Sequence, residues 1–96
     1  MKENIYLTIL FDYYEKLLND KDRECFKSYY FDNLSLGEIS ENLNISRNAI
    51  HKRLKKIEDE LKSFEEKLKL YEKEKKILSV IKDKKLKEEI NNILNS

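Results

Sequence analysis

The chain contains no proline and no tryptophan, and only one glycine, one cysteine and one histidine. Each scarcity closes off a class of chemistry. Cys25 alone cannot form an internal disulfide, which fits a reducing cytoplasm. One His and one Cys cannot assemble a metal site of the usual ligand spacing within one chain. Gly37, the single glycine, makes no phosphate-cradling loop. No apolar run approaches the roughly 20 residues that span a bilayer, so no membrane insertion is expected. The N-terminal MKENIYLTILFDYYEKLL has a brief apolar patch, but Asp12 and Glu15 interrupt it and no small-residue cleavage site follows, so a signal peptide is not expected. Carboxylates are plentiful, yet they stand beside lysines on what read as solvated helical faces, where ion pairing is their ordinary use. The expectation is a non-enzymatic cytoplasmic protein with no cofactor.

What remains is helix-forming material. Charged residues make up 41% of the chain, against about 25% in an average soluble protein, and they come as mixed Lys and Glu among Leu and Ile. The composition predicts an all-α fold. Ninety-six residues make one domain, or a small domain with an extension. A chain of this length buries only roughly 60–65% of its unfolded surface, so a second subunit would add stability.

The most informative stretch is Leu36 to Ile57, LGEISENLNISRNAIHKRLKKI. Leu36, Ile39 and Leu43 recur at helical intervals, and so do Ala49, Ile50, Leu54 and Ile57. Between them, Asn44 tolerates the left-handed conformation that ends a helix. Ser46 is a good N-cap for the next helix, and Ile45 supplies an apolar plug for the angle between the two. This is a helix-turn-helix pattern, with Arg47 to Lys56 as the recognition helix.

Around it the chain reads as more helices. The first runs from about Asn4 to Leu18, with Tyr6, Ile9, Leu10, Tyr13, Tyr14 and Leu17 as an apolar face that fills core. The second, about Lys21 to Tyr30 and capped by Asn19 or Asp20, carries Cys25 as a small buried hydrophobe. Ser35 and Glu38 have capping-box spacing ahead of the Leu36 helix. Beyond Ser46 no cap, Gly or Pro interrupts Arg47 to about Lys76. Ile50, Leu54, Ile57, Leu61, Phe64, Leu68 and Tyr71 follow one another at alternating four- and three-residue steps, an a/d heptad seam. The spacing predicts one helix of roughly 30 residues, about 45 Å long, too long for a head of residues 1–58 to cover. Leu54, Ile57, Leu61, Phe64, Leu68 and Tyr71 are therefore expected to form a coiled-coil seam in a homodimer, with residues 59–96 as the dimerising extension. Packing of the seam within its own chain is the other reading. Asp83 can cap a last helix bearing Leu86, Ile90, Ile93 and Leu94, which folds back in cis or docks on another subunit.

Charge is unevenly placed. Residues 1–46 hold five basic and nine acidic side chains, and residues 47–96 hold fifteen and ten. No acid lies between Glu41 and Glu58, while Arg47, Lys52, Arg53, Lys55 and Lys56 do. On the recognition helix, Arg47, Asn48, His51 and Lys52 are expected to face outward, with side chains suited to base edges. Arg53, Lys55 and Lys56 are expected to meet phosphates. A solvated face, on a coiled-coil adaptor that binds proteins and no nucleic acid, is the alternative reading of the same side chains.

The run from about Leu10 to Leu70 closely resembles the YlxM family of small bacterial helix-turn-helix proteins. The pieces that carry the likeness are Leu10-Phe11-Asp12-Tyr13-Tyr14, Tyr29-Tyr30 through Ser35-Leu36-Gly37-Glu38-Ile39, Ile45-Ser46-Arg47, and the acidic–basic helix before Tyr71. Leu36 to Leu54 is also similar, more loosely, to the DNA-reading region of sigma factors. The resemblance implies an all-helical, wingless helix-turn-helix protein, dimeric, with a regulatory role linked to the signal recognition particle pathway and components of that machinery as partners. DNA binding is presumed for the family, and RNA is the other nucleic-acid ligand considered. Two positions depart from the general motif: Ser40 stands where Ala is usual, and Asn44 where Gly is usual.

Overall fold

The computed structural model describes residues 4–81 and 83–95. Among them the chain forms α1 (Ile5–Tyr14), a 3-10 turn (Glu15–Leu17), α2 (Asp20–Tyr30), α3 (Leu36–Leu43), α4 (Arg47–Leu68), α5 (Leu70–Val80) and α6 (Lys84–Leu94). The described residues contain no strand, so the fold is all-α, as composition predicts.

Most helix starts follow from local hydrogen bonding. Asn19 accepts from the Asp22 amide at 2.8 Å. Ser35 and Glu38 exchange bonds of 3.1 Å in a complete capping box. Ser46 accepts from the Ala49 amide at 3.0 Å, and Asp83 from Leu86 at 3.1 Å. Each such cap contributes about 1 kcal/mol. The turn between α3 and α4 explains both departures from the general motif. Asn44 sits at φ 56°, ψ 42°, where a short amide side chain is tolerated. Ser40 donates its hydroxyl to the Ile45 carbonyl and so closes the turn with a bond that Ala could not make.

The core gathers Leu10, Phe11 and Tyr14 from α1, Phe26 from α2, Ile39 from α3, and Ile50, Leu54, Ile57 and Leu61 from α4. Phe11 and Phe26 stack with centroids 4.4 Å apart. Cys25 is buried beside them, and burial pushes its thiol pKa up, so it behaves as a small hydrophobe. The buried face of α1 differs from the predicted one. Leu7, Phe11 and Leu18 are in the core, whereas Tyr6 and Leu17 stay exposed. The backbone tightens into the 3-10 turn at Glu15, and fewer residues per turn bring Leu18 inward and leave Leu17 outside. Tyr6 and Tyr13 line a second groove, against Tyr71 of α5 at centroid distances of 6.3 and 6.0 Å.

The long seam is resolved within the chain, which corrects the expectation of a single helix to Lys76. α4 spans 22 residues, about 33 Å, and ends at Lys69, which takes φ 55°, ψ 34°. Leu54, Ile57 and Leu61 are fully buried by the chain's own α1 to α3 and leave no surface for a partner. Phe64 packs on Tyr14, and Tyr71 on α1. Leu68 alone among the six stays largely open, at 45% exposure. The division at residue 58 accordingly falls inside the core, since Leu61 belongs to it and Phe64 and Tyr71 pack against it. The apolar stripe of α4 is buried within the chain, against α1, α2 and α3 together. After α5, α6 turns back, so that Asn95 just beyond its end comes near Ile9, Asp12 and Tyr13, while no residue of the helix itself is buried.

The bend at Lys69 is held by a buried polar cluster. The Glu65 carboxylate, on a residue only 8% exposed, accepts the Tyr14 hydroxyl at 2.6 Å. It also accepts the amides of Tyr71 and Glu72, each at 3.1 Å. The Leu70 amide donates to Tyr14 Oη at 3.1 Å. Three amides that begin α5 are thus satisfied from α1 and α4. Burial, then the hydrogen bond to Glu65, pushes the Tyr14 pKa up to about 12. Glu65 also corrects the expectation that the carboxylates lie on solvated faces, as do Asp22 and Glu74, both buried. Glu74 has one oxygen, Oε2, with no hydrogen-bond partner.

Candidate nucleic-acid interface

The outer face of α4 is fixed by its inner one. Ile50, Leu54, Ile57 and Leu61 are at zero exposure, so the helix cannot rotate and residues on the far side are held toward solvent. Ser46 caps it, which places Arg47 to Lys52 in its first two turns, the part of a recognition helix that meets base edges.

Seven side chains predicted to contact nucleic acid fall into two sets. Arg47, Asn48, His51 and Lys52 are exposed and have no ion pair or side-chain hydrogen bond among the described residues. The guanidinium of Arg47 lies over Gly37, where an added Cβ would come within 2.9 Å of Nη2. The only glycine therefore sits where the recognition helix crosses the start of α3. Arg53, Lys55 and Lys56 are occupied. Lys56 Nζ donates to Asp22 Oδ2 at 3.0 Å, and Arg53 Nε lies 3.9 Å from Asp22 Oδ1. The Asp22 side chain is itself only 5% exposed. The bond to Asp22 raises the Lys56 pKa. These two cations tie α4 to α2, with the Lys56 side chain still 56% exposed. Lys55 pairs with Asp59 at 3.1 Å across one exposed helical turn, a contact worth about 0.3–0.5 kcal/mol that a phosphate can displace.

Past Lys56 the face changes sign at Glu58, Asp59 and Glu60. Glu58 accepts the Tyr30 hydroxyl at 3.1 Å, and Glu60 lies 3.6 Å from Lys56. The cationic part of α4 is thus its N-terminal half, where a helix inserted end-first would touch a groove. The sequence does not disclose Asp22 and Gly37 as neighbours of this helix, or Glu65 as its buried carboxylate. Glu65 did carry a signal, because it continues the four-residue spacing of Ile57 and Leu61. Among the described residues no group of three His, Cys, Asp or Glu side chains could hold a metal ion. None of the described helices is long and apolar enough to cross a membrane.

Comparison with known proteins agrees with the motif. The family model for UPF0122, helix-turn-helix proteins of the YlxM / p13 type, matches residues 1–95. A UPF0122 protein of Caldanaerobacter subterraneus is 51% identical over 55 residues, 57% of this chain and 47% of that relative. One from Thermoanaerobacter sp. X514 is 50% identical over 54 residues, 56% of this chain and 46% of the relative. One from Halalkalibacterium halodurans is 38% identical over 58 residues, 60% and 53% respectively. The chain spans about half the length of these curated relatives. With a buried helix-turn-helix core and a family match over almost its whole length, the chain belongs to the UPF0122 family of YlxM / p13-like helix-turn-helix proteins.

Proposed function

We propose that this protein is a non-enzymatic regulator that binds duplex DNA in the major groove through the first two turns of α4. The observation that carries this reading is the set Arg47, Asn48, His51 and Lys52, exposed and unpaired at the start of a helix whose other side is locked into the core. Arg47 and Asn48 offer bidentate partners for guanine and adenine edges, and each good pair discriminates by about 1–3 kcal/mol. Lys52, and Lys55 once released from Asp59, reach phosphates. With these two phosphates neutralised, the log–log salt dependence of binding has a slope of about −2. The family resemblance adds the signal recognition particle pathway as the setting in which this regulation acts, with its components as further partners.

The test is fluorescence anisotropy with labelled duplex DNA, and with structured RNA as a second arm, at low and rising salt. Arg47→Ala with Lys52→Ala should weaken duplex binding at least tenfold and flatten the salt slope, with the fold unchanged by circular dichroism. No affinity for duplex at low salt, or tighter binding to RNA that ignores these residues, ends the DNA reading. Capture from nuclease-treated lysate, read for signal recognition particle components, tests the setting independently.

A further inference from the structure

Gly37 is the second residue of α3, and its backbone gives no reason for a glycine there. Its φ is not positive. The start of α3 is already closed by Ser35 and Glu38, whose side chains make the capping bonds. Within a helix, glycine is the poorest former after proline. What the position lacks is room for a side chain. The three atoms nearest to a Cβ placed on Gly37 all belong to Arg47, with Nη2 at 2.9 Å and both Cζ and Nε at 3.1 Å. Ordinary contact between such atoms needs about 3.5–4.0 Å. Distances so nearly equal place that Cβ position off the guanidinium plane, so Arg47 rests with its flat face against the start of α3. The N–H donors of a guanidinium lie in its plane and point from its edge. A group resting on its face keeps those donors for a ligand, and Arg47 gives none of them to another described residue.

We propose that Gly37 is a positioning residue for Arg47. The bare backbone seats the guanidinium face-down across the first turn of α3 and leaves its donor edge open at the start of α4. The proposal rests on the duplex reading of α4 and adds how its arginine is aimed. An arginine already held in one pose loses less rotamer freedom when it forms a two-pronged bond to guanine or phosphate. Freezing one such side chain on binding weakens association by about three- to tenfold, and the seat avoids that loss. A methyl group at position 37 lifts the guanidinium from the backbone. Arg47 is exposed and can swing away, so α3 itself stays folded.

The test compares four whole-chain proteins: the parent, Gly37→Ala, Arg47→Ala and the double variant. Each is measured by fluorescence anisotropy with a labelled duplex that the parent binds, beside urea unfolding. Gly37→Ala should keep or raise the urea midpoint, because alanine is the better helix former. It should weaken duplex binding about three- to tenfold. In the Arg47→Ala background the same change should alter affinity by less than about twofold. A glycine needed only for the fold would lower the urea midpoint when replaced, or would cost the same affinity with and without Arg47; either result overturns the proposal. Nitrogen relaxation of the Arg47 Nε–H group in the free protein reads the seat without DNA, ordered in the parent and mobile in Gly37→Ala. Equal mobility in the two proteins also overturns it. A parent that binds no duplex ends the duplex reading alone, and the relaxation measurement then decides the seat by itself.

Discussion

Replacing Glu65 by Ala should destabilise the protein by about 2–3 kcal/mol, and the figure follows from what the carboxylate touches. It accepts one hydroxyl and two amides, from Tyr14, Tyr71 and Glu72. A hydrogen bond to a charged acceptor contributes about 1.5–3 kcal/mol net. Tyr14 is fully buried, so its loss counts in full, whereas the two amides at the start of α5 can recover water in part. Against this, removing a buried carboxylate relieves a desolvation penalty of several kcal/mol. Total stability for a chain this long is of order 5–14 kcal/mol, so the change should lower Tm by roughly 10–20 °C. Urea unfolding followed by circular dichroism reads it. Tyr14→Phe should cost about 1–2 kcal/mol, and the double variant should fall short of the sum by about 1 kcal/mol, because the two side chains share one bond. A Glu65→Ala protein within about 0.5 kcal/mol of the parent, or strict additivity with Tyr14→Phe, would refute the view that this cluster holds the bend.

Three further outcomes follow from buried polar groups. The Tyr14 hydroxyl has its pKa raised from 10.0 to about 12 by burial and by Glu65, so the folded state holds that proton more tightly. Its contribution is complete below about pH 10 and is lost as pH rises toward 12, up to about 2–3 kcal/mol, so alkaline unfolding of Tyr14→Phe should be flatter over that window; parallel curves would contradict it. Asp22→Asn should cost about 1–2 kcal/mol by loosening Lys56 and Arg53, while duplex affinity at low salt rises several-fold because two cations are freed. A fall in affinity would mean that the pairing positions the helix for binding. Glu74→Leu should raise stability by about 1–2 kcal/mol, since it removes a carboxylate with an unpartnered buried oxygen; a loss in urea unfolding would point to a partner that this carboxylate serves.

Which parts of this molecule the sequence discloses depends on the range of the interactions involved. The caps at Asn19, Ser35, Ser46 and Asp83 each bond within three residues, so short motifs reveal them. The helix-turn-helix is of the same kind, with Asn44 and Ser40 closing it from within. The bend at Lys69 is not, because its cause, Tyr14, lies 51 residues from Glu65. A heptad pattern predicts an apolar partner but does not name it, and here the partners are α1, α2 and α3 of the same chain. The candidate site divides in the same way. Outward residues at the start of α4 follow from its apolar stripe. That Lys56 and Arg53 are held by Asp22, more than 30 residues earlier, required the packing of α2 on α4.

Amide chemical-shift mapping of the protein, titrated with a duplex DNA that it binds, tests the role of α4 most directly. The expected perturbations are contiguous through Ser46 to Arg53, with a second cluster at Ser35 to Gly37, where the Arg47 guanidinium crosses α3. Shifts confined to α5 and α6, with the first two turns of α4 unmoved, would contradict it.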